Sequence, residues 1–534
     1  MAGWGARRLR RWWRRLRRGP AWARALVVAV PVLLVVGLVV GLSGSSGPGV
    51  RVATSTPTTA TTTPAAPTPP DRASTSSAGV TAHTITVAFP ESNLDALGSK
   101  LGFAGDVEFS EQTKAIKLFV GAINDAGGID GRKIKPVITT IDPTNEISMR
   151  ALCKQWTEGS NPVFAVLDGV GTWNGDNQLC ITQEGHTPLL SQWTTVTNWT
   201  DLGSPYLWWT GPDDAAILQA TVDWGVSAGT LGAGRKVAVV AGDRASDQLA
   251  LNQYLLPDLA RAGVKPLVET LAADPSDVAT TDAQAPLVVQ RLHAAGIQSV
   301  IPLVPFNAFF PVLAAETSQK YFPTLLLSDY ENAIQSALGL LPFPYGRALD
   351  GQEGLTTETL GGVDDWRPES QGGYDPGVRS CFTLWHKVYP QIPPGNQNFF
   401  LEEQGPVQAW CQEIRLFATA ATLAGPHLDR RTFVEAMARV SDFPGGFSPV
   451  LSYGPDKFSG PTEYRIVRLH TNSPPSTQCK MPLDGIPQQV CWVVVQDWQP
   501  LPGAGSSTSS TTTVPPTTTT TAATDPESTA APGG

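Results

Sequence analysis

The side chains best placed to do chemistry in this chain lie in four short segments, each directly after a strand-like run. They are Asp168-Gly169-Val170-Gly171-Thr172-Trp173-Asn174-Gly175, Ser191-Gln192-Trp193-Thr194-Thr195, Pro305-Phe306-Asn307 and Ser328-Asp329-Tyr330. Open parallel sheets bind ligands outside the carboxyl ends of their strands, and with two lobes the ligand lies between them. Gly171, Thr172 and Trp173 open a helix-like stretch, whose first backbone N–H groups suit a carboxylate.

Catalytic patterns are absent from the sequence. No H-E-x-x-H, G-x-S-x-G or G-x-x-x-x-G-K-(S/T) occurs, and none of the six histidines has metal-like or triad-like neighbours. The segment at 168–175 has Asn174 where a dinucleotide fingerprint needs its third glycine. Adjacent acids such as Asp364-Asp365 and Glu402-Glu403 are more in keeping with a solvated face than with a general acid and base. The chain reads as a binder without cofactor or metal, not as an enzyme.

The elements that must position these segments alternate between about residues 81 and 500. Strand-like runs fall at 84–89, 135–141, 162–167, 188–191, 236–240, 264–270, 299–303 and 323–327, with helical stretches at 148–158, 213–228, 246–262 and 283–295 between them. This is the pattern of helices on both faces of parallel sheets. So many units exceed one compact sheet, so an α/β fold with two Rossmann-like lobes and a hinged cleft is expected. The first lobe is expected at about 81–210 and 350–440, the second at about 211–349 and 441–500.

One stretch is more specific than the rest. Ile116, Phe119, Val120 and Ile123 share one helical face, Gly127-Gly128 ends the helix, and Asp130-Gly131 turns the chain into the β-branched run 134–141. The phrase Ile123-Asn124-Asp125-Ala126-Gly127-Gly128-Ile129-Asp130-Gly131 resembles the first helix and second strand of type I periplasmic binding proteins, the family of the leucine/isoleucine/valine-binding proteins. The stretch 404–425 resembles that family's long helix returning to the first lobe. Tyr453, Gly454, Asp456 and Gly460 resemble its closing hairpin, and 473–500 is an addition expected to form a hairpin on the second lobe.

The resemblance implies a solute-binding protein that delivers a small polar or amphipathic molecule, such as an amino acid or amide, to an ABC-type permease. It implies ligand contacts from Gly171, Thr172 and Trp173, and from Ser191, Trp193, Thr194 and Thr195 in the second binding loop. In the other lobe it implies Phe306, Asn307, Asp329 and Tyr330, with Asp329 where amino-acid binders place the acid that meets an ammonium. Trp173 and Trp193 stand where those binders have small residues, which argues against leucine, isoleucine or valine and for a ring or sugar.

The ends of the chain bear on location. Nine of the 38 basic residues fall within 1–24, a segment without acids, and 25–42 carries no charge. An Arg-rich cytoplasmic segment and a transmembrane anchor at 25–42 are expected, with the folded part extracytoplasmic and the protein single-pass in the cell membrane. A cleaved signal peptide is the alternative. The Thr/Pro-rich stretches 43–80 and 501–534 read as disordered tethers. Beyond residue 24, the remaining 29 basic residues face 47 acids, a formal balance of −18 that argues against nucleic acid as a partner. The six cysteines suit an exported protein; fifteen connectivities are open, with Cys153–Cys180, Cys381–Cys411 and Cys479–Cys491 the expected neighbours. The permanent anchor leaves a membrane-tethered sensor or surface interaction domain as the alternative function.

Overall fold

The computed structural model describes residues 77–92, 110–143, 145–169, 171, 173, 176–192, 197–232, 234–274, 277–330, 334, 347–359, 376–389, 405–471 and 490–503. All belong to one compact unit, 70–534; a second unit, 1–69, contains none of them. The expected anchor at 25–42 lies outside the described residues, as do the tethers apart from 77–80 and 501–503. Among the described residues no helix is long and apolar enough to cross a membrane.

The first half of the unit runs β1 Thr84–Ser92, α1 Ser110–Asp125, β2 Lys133–Ile141, α2 Glu146–Glu158, β3 Ala165–Asp168, α3 Asp176–Leu179 with a π-helical turn Cys180–Glu184, β4 Leu189–Ser191, α4 Thr197–Gly203 and β5 Leu207–Trp209. The strands form a five-stranded sheet in the order β2-β1-β3-β4-β5, every pair parallel. Ile116, Phe119 and Val120 press α1 onto it, as their spacing requires. Gly128 at the end of α1 has φ +77, and a Cβ there would run into the Arg132 carbonyl, so only glycine makes this turn.

Next come α5 Asp214–Ser227, β6 Val237–Gly242, α6 Ala245–Ala250, a π-helical turn Leu251–Leu255, α7 Leu256–Arg261, β7 Leu267–Leu271, α8 Val278–Ala295, β8 Ser299–Leu303, α9 Phe306–Gln319, β9 Thr324–Ser328 and β10 Glu353–Thr356. The chain ends with α10 Pro376–His386, α11 Gly405–Ala424, α12 Arg430–Met437, β11 Phe443–Pro444, β12 Val450–Leu451, β13 Glu463–Thr471 and β14 Val490–Pro500. The second sheet has the order β14-β13-β10-β9-β8-β6-β7. Its β10, β9, β8, β6 and β7 are parallel, and β13 and β14 add on antiparallel.

Strand alternation gives each sheet two apolar faces. Val87, Leu167, Leu190 and Trp208 lie under α1 and α11, whereas Ala88, Val166, Leu189 and Trp209 face α2 and the disulfide Cys153–Cys180. In the second sheet Val240 and Leu327 face α8 and α9, while Val239 and Leu326 face α5.

Three expectations need correction. Residues 353–356, expected in the first lobe, form β10 of the second sheet, where they hydrogen-bond in parallel with the open edge of β9 and in antiparallel with β13. Phe443, Leu451 and Tyr453, expected in the second lobe, are buried in the core of the first, against α11. The segment Pro305-Phe306-Asn307 is no loop: Pro305 caps α9 with φ −67, which its ring imposes, and an extended ψ of 163, and the helix starts at Phe306. The pairings Cys153–Cys180 and Cys381–Cys411 form as expected; Cys479 and the side chain of Cys491 lie outside the described residues.

Candidate functional site

Asp168 closes β3 and organises the edge of the first sheet. Its Oδ2 accepts the Trp173 backbone N–H at 2.9 Å and the Ser191 hydroxyl at 3.1 Å. Gly171 donates its N–H to the Asp168 carbonyl and sits at φ +65, a region that favours glycine. The Trp173 indole is fully buried, donates to the Asn177 carbonyl at 2.9 Å and packs on Trp156 with centroids 5.0 Å apart. In this arrangement the Trp173 ring supports the loop. Ser191 likewise orients Asp168. Thr172, Trp193, Thr194 and Thr195 lie outside the described residues, as do the side chains of Phe306 and Asn307.

α11 brings further polar groups to this edge. Trp410 covers Gly169, where a Cβ would come within 2.6 Å of its ring, and packs 5.8 Å from Phe89. Two turns on, Phe417 packs on Phe164 at the opposite end of β3, so α11 runs antiparallel to the strands and its first turns lie at their carboxyl ends. Gln412 accepts the Phe447 and Ser448 N–H groups at 2.8 and 2.9 Å. Glu413 is fully buried and neither of its carboxyl oxygens has a hydrogen-bond partner. Burial, then the charge of Asp168, pushes the Glu413 carboxyl well above the usual range. Gln192 follows Ser191 just past the strand; it is buried and its Oε1 is also without a partner.

The second sheet repeats the arrangement. Asp329 follows β9, and its Oδ2 accepts both the N–H of Thr357 at 2.6 Å and its hydroxyl at 2.9 Å. Burial raises its pKa to about 6, against the pull of those hydrogen bonds and of the Arg465 guanidinium. Burial, together with Asp329, pushes Glu358 well above the usual range. Arg465 also lies over the Trp498 ring, 4.7 Å from its centroid. Tyr330, expected to face a ligand, is buried and donates to Asp247 Oδ1 at 2.8 Å, an acid that Arg244 also grips at 2.7 and 2.8 Å. Its position is set by that buried acid across the lobe, which residue spacing does not encode.

Segments between the two sheets are laced together. Trp209 donates its N–H to the Phe458 carbonyl at 2.8 Å and its carbonyl accepts from Gly460 N–H and Tyr453 OH at 2.9 and 3.0 Å. Ser459 reaches the Gly211 carbonyl, and Thr359 N–H and hydroxyl both donate to the Phe447 carbonyl. Lys457 donates to the carbonyls of Ser452 and Gly460 at 2.6 and 3.2 Å; burial lowers its pKa to about 8, with Asp213, the N-cap of α5, opposing that shift.

Asp168, Gln192, Thr357, Glu358, Trp410, Gln412 and Glu413 were not singled out as site residues from sequence. One signal was present: polar residues at 408, 412 and 413 interrupt the first half of an otherwise apolar helix. Among the described residues, no group of three or more His, Cys, Asp or Glu is placed to hold a metal.

A family model described as "Periplasmic binding protein" matches residues 98–474. Solved structures share the fold. A fatty acid ABC transporter substrate-binding protein from Thermomonospora curvata is 17% identical with a TM-score of 0.55, over 79% of this chain and 94% of the other. An R. palustris solute-binding protein in complex with 4-hydroxybenzoate is 14% identical with a TM-score of 0.55, over 78% and 98%. A branched chain amino acid ABC transporter protein from Thermus thermophilus with bound valine is 13% identical with a TM-score of 0.54, over 78% and 97%. At such identities the likeness is one of fold. No curated protein matches the chain in sequence.

Proposed function

Since the chain belongs to the periplasmic binding protein family, we propose that it is the extracytoplasmic solute-binding component of an ABC-type transporter, closing two lobes over a small polar or amphipathic molecule. The observation that carries this reading is the matched pair of sheet edges. Each ends a central strand in a buried carboxylate that ties down a loop, and laced segments suited to a hinge join the two sheets. Closure then draws on ligand contacts available only in the shut state. In this reading Gly171, Thr172, Ser191, Trp193, Thr194, Thr195, Phe306, Asn307 and Asp329 lie at or near the ligand, and the protein acts as a binder for a permease, not as an enzyme. The two disulfides accord with an oxidising compartment.

The ligands named for the fold neighbours, a fatty acid, valine and 4-hydroxybenzoate, span three chemical classes, so the fold leaves the choice to the side chains. A second reading, a membrane-tethered sensor on the same fold, is favoured by the uncharged run at 25–42 behind nine arginines.

The test is a thermal-shift screen of the full chain in detergent against amino acids, amides, sugars, polyamines and small aromatics, repeated with Asp329→Ala and Thr195→Ala. A ligand at a hundred times its dissociation constant adds about 2.7 kcal/mol. A hit weakened by both changes is expected. No hit across the library would sink the transport reading and favour the sensor.

A further inference from the structure

We propose that Gln412 is a positioning residue for lobe closure: through its side-chain oxygen, α11 holds the turn 445–448, against which the connections between the two sheets are set. The inference rests on the solute-binding reading and deepens it, by naming the side chain that fixes one lobe relative to the other.

The chain passes between the sheets after β5, after β10 and between β12 and β13. Gln412 acts one step back from these crossings. Its Oε1 accepts the N–H groups of both Phe447 and Ser448, in the turn between β11 and β12. From that turn the Phe447 carbonyl accepts the N–H and the hydroxyl of Thr359, which follows β10, at 2.6 and 2.8 Å. The Ser448 hydroxyl reaches the carbonyl of Thr210, which follows β5, at 3.4 Å. On either side of Thr210, Trp209 and Gly211 bond to Phe458, Ser459 and Gly460 of the third crossing. One oxygen therefore stands at the root of bonds that reach all three. Gln412, Phe447, Ser448 and Thr359 are each buried, so water is poorly placed to replace that oxygen, and two orphaned N–H groups would force the turn to move. The turn is also tightly seated. A Cβ at Gly445 would run into the Ser448 carbonyl and the Gln412 oxygen, and one at Gly446 into the Cys381 sulfur. The Gln412 nitrogen has no hydrogen-bond partner, so the oxygen does the holding. Gln408, one turn earlier on α11, is fully buried with neither amide atom partnered, and so supplies a matched control.

The experiment is hydrogen exchange, read by mass spectrometry on the full chain in detergent without ligand, together with a spin-label distance between the lobes. Labels at Ile147→Cys in α2 and Leu287→Cys in α8 use side chains that are 86% and 54% exposed. We expect Gln412→Met to speed exchange tenfold or more at Phe447, Ser448 and Thr359, to leave the central strands of both sheets protected, and to broaden the distance distribution. Gln412→Glu, which keeps an oxygen in place, should restore both readouts, and Gln408→Met should change neither. Thr359→Val approaches the same link from the second lobe, should Gln412→Met not fold: it is expected to broaden the distances while Phe447 and Ser448 stay protected. Faster exchange confined to Phe447 and Ser448 with unchanged distances would overturn the inference. So would a uniform loss of protection across both sheets, which would mark Gln412 as a packing residue, or Gln412→Glu behaving like Gln412→Met. No ligand enters the measurement, so an empty library screen would sink the solute-binding reading without deciding this result.

Discussion

At the end of β3, Asp168 gathers Trp173 and Ser191; at the end of β9, Asp329 gathers Thr357. Behind each stands a second buried acid, Glu413 in the first lobe and Glu358 in the second. The lobes differ in how they support these groups. The second sets Arg465 beside its acids, whereas the first is stapled on both faces of its sheet by disulfides, with none in the second lobe among the described residues. A charge partner stabilises a buried acid directly. A disulfide acts mainly on the unfolded chain, so it adds stability without satisfying any polar group in the fold.

The largest effect that tests this contrast comes from the staples. Their sequence separations are 27 and 30 residues, for which loop-closure entropy predicts about 3–4 kcal/mol each. The double changes Cys153→Ala/Cys180→Ala and Cys381→Ala/Cys411→Ala should each lower denaturant stability by that amount, with hydrogen exchange rising in β1–β5 before β6–β10. Equal loss of protection in both sheets would break the comparison.

A slightly smaller effect belongs to the second lobe. The folded pKa of Asp329 is raised to about 6, above an unfolded value near 3.8, so the folded state holds the proton longer. Stability from this group therefore falls as pH rises from about 4 to about 6, by roughly 3 kcal/mol, and is level above that. Asp329→Asn should flatten this part of the pH profile in chemical denaturation. An unchanged slope would mean that another acid carries it.

Packing at the two edges should separate more modestly. Gly169→Ala drives a Cβ into the rigid Trp410 indole, whereas Gly354→Ala in β10 meets first the flexible end of Ile334. We expect about 2 kcal/mol lost for the first and about 1 kcal/mol for the second by thermal unfolding. The reverse order would show the first edge to be the looser one. The smallest effects are at the surface. Arg150→Ala, which leaves Glu184 with Lys154 at 2.9 Å, and Arg291→Ala, which removes the exposed guanidinium from the largely covered Glu269, should each cost under about 1 kcal/mol, fading in high salt. A larger loss at Arg150 would show that the network Arg150–Glu184–Lys154–Glu158 acts as a unit.

Much of the scaffold was legible because its signals are local. The 299–303 strand matches β8 residue for residue, and the helix and glycine turn at 110–131 lie where periodicity and Asp130-Gly131 place them. The 264–270 run was read too early: β7 begins at Leu267, after Pro266, which has no N–H to give a sheet. The site was less legible. Asp168 and Ser191 stood within segments marked for ligand contact, yet their side chains serve each other. Tyr330 and Trp173 have the right residue types for a pocket, and the fold also engages them with Asp247 and Trp156, contacts that residue type does not announce.

By itself the sequence determined most of the elements and the α/β class, because helix faces, strand alternation and turn glycines depend on residues a few positions apart. Only the tertiary structure decided that Glu413 shares a buried edge with Asp168, that Arg465 answers Asp329, and that 353–356 joins the second sheet. Those facts depend on where a distant segment returns and which groups it shields from water. Desolvation is a property of the assembled fold and leaves no periodic trace in the chain.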